Sequence, residues 1–177
     1  STELVAQIQG SLKEVVKYAD ELRDLDQALG DGDLGITISL GASAVIDALA
    51  ELPEAASPSE IARACAKAFA NANPSTMAAL VAGGLLAGSK VWKDVADVDV
   101  AEAARFVRAA GDNIAQRGKT QLGDKTIVDA IMPAADALEA SQSGSDGLDA
   151  AIAAAEKAVV DTRSLRSRRG RAAWLQE

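Results

Sequence analysis

A chain of 177 residues with 49% hydrophobic and 25% charged side chains has the size and balance of one soluble domain that buries a real core. Aromatics make up only 3%, so the core must be aliphatic and alanine-rich, which suits packed helices and excludes an all-β fold. The net charge of −8 opposes binding to nucleic acid or to an anionic membrane. Histidine is absent, which removes the Ser/His/Asp triad, histidine-ligated zinc and any imidazole acid or base from this chain. A single cysteine, Cys65, rules out an intrachain disulfide and points to a reducing, cytoplasmic setting. No basic-then-apolar leader and no apolar run long enough for a membrane span are visible.

In chain order, Leu4, Ile8, Leu12, Val15, Val16, Leu22, Leu25 and Leu29 recur at three- and four-residue steps and predict one long amphipathic helix over residues 3–28. It stops at Gly30-Asp31-Gly32-Asp33. A second helix starts near Gly35 and ends before Pro53. Ser57-Pro58-Ser59-Glu60 predicts a third, with Ser57 as N-cap, Pro58 in the first turn and Glu60 closing a capping box, running to about Asn71. Asn73-Pro74-Ser75-Thr76 breaks the chain before an apolar helix over residues 77–92, whose Gly83, Gly84 and Gly88 imply close approach of a neighbour. Asp99 with Glu102 opens a fifth helix reaching Arg117, and residues 126–139 form a sixth that contains Pro133. Residues 141–147 read as a linker and residues 148–164 as a last helix, followed by the basic run Arg166-Ser167-Arg168-Arg169-Gly170-Arg171.

The densest chemical signal is Asp26, Asp31 and Asp33 around a glycine-punctuated turn between two helices. Converging carboxylates repel one another, and a hard divalent cation relieves the repulsion. The spacing fails the calcium-loop pattern, because no glutamate closes a twelve-residue loop, so magnesium shared with a phosphate is preferred. An acidic turn that merely caps helices fits the same spacing. Asn73-Pro74-Ser75-Thr76 opens a helix and suits an anion, although Ser75 fits a plain N-cap equally well. The stretch from Gly118 to Thr126 has a Lys-Thr pair but lacks the spacing and preceding strand of a Walker A loop. Arg171 is either a phosphate clamp or a solvated charge.

Taken together, three segments resemble the DhaL family, the nucleotide-binding L subunit or domain of dihydroxyacetone kinases. They are Leu25-Asp26-Gln27-Ala28-Leu29-Gly30-Asp31-Gly32-Asp33-Leu34-Gly35, then Gly123-Asp124-Lys125-Thr126 with Asp129-Ala130 and Pro133-Ala134, and finally Gly170-Arg171-Ala172 before Trp174-Leu175. The resemblance implies an all-α barrel or bundle of about eight antiparallel helices, with residues 1–177 forming one nucleotide-binding domain. It implies ADP or ATP at one end, held through two Mg²⁺ ions on Asp26, Asp31 and Asp33. Nucleotide contacts are then expected at Leu34, Gly35, Ile36 and Thr37, at Ser75 and Thr76, at Gly118 and Ile127, and at Arg171.

The family's partner is a K-type subunit or domain that binds a short ketose or aldose through its own histidine, which fits a histidine-free chain. The phosphate source is either exchangeable ATP or a phosphotransferase-system phosphocarrier acting on bound ADP. Three departures stand out. Leu34 replaces the family's usual histidine, the serine-rich phosphate loop reads Asn73-Pro74-Ser75-Thr76, and the chain stops at Glu177, where relatives continue into a glycine-containing segment. Two functional classes follow from the resemblance: a phosphoryl-donor component of a small-sugar kinase that needs its partner, or a non-catalytic nucleotide-sensing module that binds a regulator.

Overall fold

The computed structural model describes residues 2–141 and 143–174. Eight α-helices run in chain order: α1 (Thr2–Val16), α2 (Ala19–Gln27), α3 (Leu34–Ala50), α4 (Pro58–Ala72), α5 (Thr76–Val91), α6 (Val100–Gly118), α7 (Val128–Ala140) and α8 (Gly144–Asp161). A 3-10 turn, Arg171–Ala173, follows, and no strand occurs among the described residues. No described helix is long and apolar enough to cross a membrane.

Local chemistry sets most of the boundaries. The Ser57 hydroxyl accepts from the Glu60 N–H at 3.3 Å while the Ser57 N–H donates to Glu60 Oε2 at 2.8 Å, the reciprocal capping box expected at the start of α4. Asp99 caps α6 by accepting from the Glu102 N–H at 2.8 Å. Lys119 takes the left-handed conformation at the C-terminus of α6, with φ of 51°.

Two expectations are corrected. The predicted helix over residues 3–28 is broken at Lys17 and Tyr18, because α2 must turn to lie on the first turn of α3. A Cβ at Gly35 would sit 2.1 Å from the Ala19 carbonyl oxygen, so the two backbones nearly touch there. The expected linker over residues 141–147 is also too long: Ser143 caps α8, which begins at Gly144 instead of Leu148. Gly147 then lies within the helix, where a Cβ would meet Ser141 and the Val100 side chain at 3.0 Å. Gln142, in that same segment, lies outside the described residues.

From α3 onward each helix packs against the next, whereas α1 and α2 both lie on α3. Short connections make these neighbours antiparallel. One core gathers Val45 and Leu49 of α3 with Ile61, Cys65 and Phe69 of α4, covered by Leu4, Ile8 and Leu12 of α1. Burial pushes the Cys65 thiol up to about 11, so it stays protonated and apolar in character. A second core joins Ala104, Leu138 and Ala151 of α6, α7 and α8. The α5/α6 contact bridges the two, and the expected use of the α5 glycines holds: a Cβ at Gly88 would lie 2.4 Å from the Phe106 ring, and one at Gly84 would lie 3.1 Å from Ile114. Antiparallel alternation brings the starts of α3, α5 and α7 and the ends of α4, α6 and α8 to one end of the bundle.

Candidate nucleotide and metal site

That end collects the sequence-predicted residues. Asp26 belongs to the last turn of α2, and Asp33 precedes α3. Between them the chain reverses through Gly32, whose φ of +74° favours glycine. Gly30 is required for a different reason: a Cβ there would fall 2.4 Å from Asp26 Oδ1. The result is that one carboxylate oxygen from each of Asp26, Asp31 and Asp33 lies within 4.8 Å of the others. Asp26 is half-buried and its Oδ2 accepts from the Leu34 N–H at 3.3 Å, while Asp31 and Asp33 are exposed. Three oxygen donors converging on an open face suit a hard cation that keeps part of its water shell.

Two helix starts flank the carboxylates. At α3, Leu34 is half-buried, Gly35 is buried, Ile36 is 58% exposed and Thr37 is buried. The Thr37 hydroxyl accepts from Asn73 Nδ2 at 2.8 Å, which fastens the loop before α5 to the first turn of α3. At α5 the Ser75 hydroxyl accepts from the Ala78 N–H at 3.0 Å, so Ser75 is a true N-cap, and Thr76 beside it is exposed. Both starts direct free backbone N–H groups and the positive ends of helix dipoles toward the same end of the bundle.

Gly118 closes α6 against Leu80, and Ile127, 51% exposed, precedes α7. The loop between them is held by two aspartates whose roles the sequence reading did not assign. Asp129 accepts from the Gly123 N–H at 2.6 Å and the Thr126 N–H at 2.7 Å. Asp124, only 2% exposed, accepts from the Gln121 N–H at 3.2 Å and from Arg169 Nε at 3.2 Å. Desolvation alone would raise the Asp124 pKa, but the Gln121 N–H and the Arg169 guanidinium outweigh it and hold the carboxyl below its ordinary range. Lys125 Nζ donates to the Arg163 and Leu165 carbonyls at 3.0 Å each, tying down the chain after α8. The signal for these roles was the Gly123-Asp124-Lys125-Thr126 motif, whose structural meaning needs the tail as partner.

With the tail anchored this way, Arg171 reaches across and donates from Nη1 to Asp31 Oδ2. A cleft of about 280 Å³ lies between Asp26, Leu29, Asp31 and the segment from Arg169 to Ala172. Of the expected contacts, the carboxylates, the α3 and α5 starts and Arg171 therefore share one end. Leu175, part of the third motif, lies outside the described residues.

An all-helical bundle whose carboxylates converge beside the start of α3 has the donor set to take a hard cation and, with it, an anion at the helix N-terminus. The family profile described as DAK2 domain matches residues 28–177, and the chain belongs to that family. It is 30% identical over 156 residues to the protein named PEP-dependent dihydroxyacetone kinase 1, ADP-binding subunit DhaL, of Listeria innocua, covering 88% of this chain and 74% of that one. It is 33% identical over 168 residues to L-erythrulose kinase of Pectobacterium atrosepticum and 31% identical over 166 residues to triokinase/FMN cyclase of Rattus norvegicus. Those matches cover 92% and 91% of this chain but only 28% of each relative, so the chain spans under a third of the length of these larger enzymes.

Proposed function

We propose that this chain is the nucleotide-binding, phosphoryl-donor unit of a dihydroxyacetone-type small-sugar kinase, working in the cytoplasm with a K-type partner that holds the sugar. The observation that carries this reading is the convergence of Asp26, Asp31 and Asp33 within 4.8 Å at the end where α3 and α5 begin. Asp26, Asp31 and Asp33 would hold two Mg²⁺ ions together with the phosphate oxygens of ADP or ATP. When bound, the ions neutralise the phosphate chain and polarise the transferring group. The N–H groups at the starts of α3 and α5 orient the phosphates, and Arg171 leaves Asp31 to clamp them. Leu34, Gly118 and Ile127 supply apolar and backbone surface beside the nucleotide.

The rim of this end carries Leu25 at 65% exposure, Leu122 at 59% and Trp174 at 84%, an apolar border suited to a protein partner. Nothing in the chain captures a carbonyl substrate by histidine, so the sugar must be positioned by that partner, a task worth about 7–11 kcal/mol of barrier. Relatives named as kinases favour the donor role over a sensing module.

The test has two stages. Calorimetry with Mg-ADP should give saturable binding that EDTA abolishes; equal heats with and without metal would sink the carboxylate site. A coupled assay on dihydroxyacetone, glyceraldehyde and erythrulose should then show turnover only when a K-type partner is mixed in. Robust turnover by the chain alone would overturn the division of labour, and a phosphocarrier that rephosphorylates bound ADP would identify the donor.

A further inference from the structure

The outward face of α5 forms the floor of a groove of about 440 Å³ between α4 and α6, running from Arg117 in the last turn of α6 to Lys90 and Lys93 around the end of α5. Arg63 of α4, Arg117 of α6, and Lys90 and Lys93 at the end of α5 line it, and no Asp or Glu does. On a chain with 26 acidic and 18 basic residues, four uncompensated cations on one concavity run against the overall charge. Among the described residues none of the four makes an ion pair or a side-chain hydrogen bond. The nearby acid that feels Arg63, Glu60, is committed to the Ser57 N–H and hydroxyl, which with Arg63 hold its carboxyl low.

The groove contains a second, independent feature. Asn113 Oδ1 is buried and has no hydrogen-bond partner. A buried acceptor is costly to leave unmet, so a donor from a ligand is favoured there. Gly83 makes room for this amide and for Arg117, since a Cβ would lie 2.9 Å from Asn113 Oδ1 and 3.1 Å from Arg117 Nη1. From Gly83 to Lys90 the helix rises about 10 Å, so two anionic groups spaced along the groove match the cations better than one.

We propose that this groove is a binding site for a small bis-anionic hydroxyl compound, of the class of a phosphorylated polyol. Arg63 and Arg117 grip one anionic group, Lys90 and Lys93 the other, and Asn113 accepts from a hydroxyl between them. The volume lies within the range of small-molecule sites, and mutual repulsion of the four cations is relieved only when the anion is bound. The site uses no carboxylate and needs no divalent metal, which distinguishes it from the Asp26, Asp31 and Asp33 site.

The experiment is titration calorimetry of the full chain in EDTA at about 0.15 M salt, with fructose 1,6-bisphosphate, inorganic phosphate and a hexaglutamate peptide as probes. The bisphosphate should bind saturably and roughly tenfold more tightly than inorganic phosphate, and the double reversal Lys90→Glu with Arg117→Glu should weaken it by at least about tenfold. Gly83→Ala, which keeps every charge, should also weaken it, while Asp33→Asn should not. Circular dichroism verifies that each variant is folded. Bisphosphate binding no tighter than phosphate, or unchanged by the double reversal, overturns the proposal, as does binding of the peptide alone. Failure of the nucleotide reading would show separately, as Mg-ADP binding that survives Asp33→Asn.

Discussion

Arg171 and Asp31, 140 residues apart, are joined by a charged hydrogen bond across the acidic end of the bundle. The contact places the guanidinium on a carboxylate of the proposed metal site, where a bound cation would compete with Arg171 for Asp31. Arg171→Ala should therefore tighten free Mg²⁺ binding modestly, by up to about fivefold, since an exposed pair is worth ~0.2–1 kcal/mol. The same change should weaken Mg-ADP by about tenfold or more, because hydrogen bonds to charged groups contribute ~1.5–3 kcal/mol. Arg171→Lys should fall between, having charge without the planar fork. Trp174 lies three residues away and is 84% exposed, so its fluorescence reports both titrations. Equal weakening of metal and nucleotide would assign Arg171 a purely structural role.

Asp31 and Asp33, the proposed metal ligands, are exposed and lie outside the core. Asp31→Asn and Asp33→Asn should each remove most Mg-ADP binding and all ligand-induced rise in melting temperature, with helical content unchanged. Asp26 differs, because it also accepts from the Leu34 N–H and its replacement should loosen the start of α3. Calorimetry and circular dichroism on the three variants separate the two effects.

Asp124 ties the loop after α6 to the tail, and its carboxyl is held below its ordinary pKa. A depressed folded-state pKa means that the native state binds protons less readily than the unfolded chain. The stabilisation is thus complete above the unfolded value of about 3.9 and is lost as pH falls through the folded value. Asp124→Asn should lower the melting temperature at neutral pH, and the gap to wild type should narrow below about pH 4. A gap that widens on acidification would contradict the Arg169 anchor. The variant should also weaken Mg-ADP through Arg171, since Arg169 positions that residue.

Gly35 and Gly10 offer a paired test of packing. At Gly35 an added methyl collides with the Ala19 carbonyl at 2.1 Å, whereas at Gly10 nothing lies within 4 Å. Gly35→Ala should destabilise by roughly 1–3 kcal/mol and impair the acidic turn, as overpacked helix crossings do. Gly10→Ala, in the interior of α1, should stabilise by about 0.5–1 kcal/mol. Urea denaturation measures both signs in one series.

What the sequence by itself determined was the set of helix starts at Ser57, Ser75 and Asp99, whose partners lie within one turn; the equally local Ser143 cap of α8 reads as linker in the sequence. Ser57 with Glu60, Ser75 with Ala78 and Asp99 with Glu102 fix the starts of α4, α5 and α6 by bonds spanning three positions. The three carboxylates were likewise legible, because eight residues and a glycine turn suffice to bring Asp26 to Asp33. Tertiary structure alone decided the break at Lys17 and Tyr18, where the apolar period continues but the crossing of α2 over α3 requires a change of direction. It also decided the partners of the basic tail: Arg169 meets Asp124 across 45 residues and Arg171 meets Asp31 across 140. The physical reason is one of range. A cap is satisfied by its own turn of backbone, whereas a guanidinium in a charged tail finds its carboxylate only after packed helices have brought distant ends of the chain together.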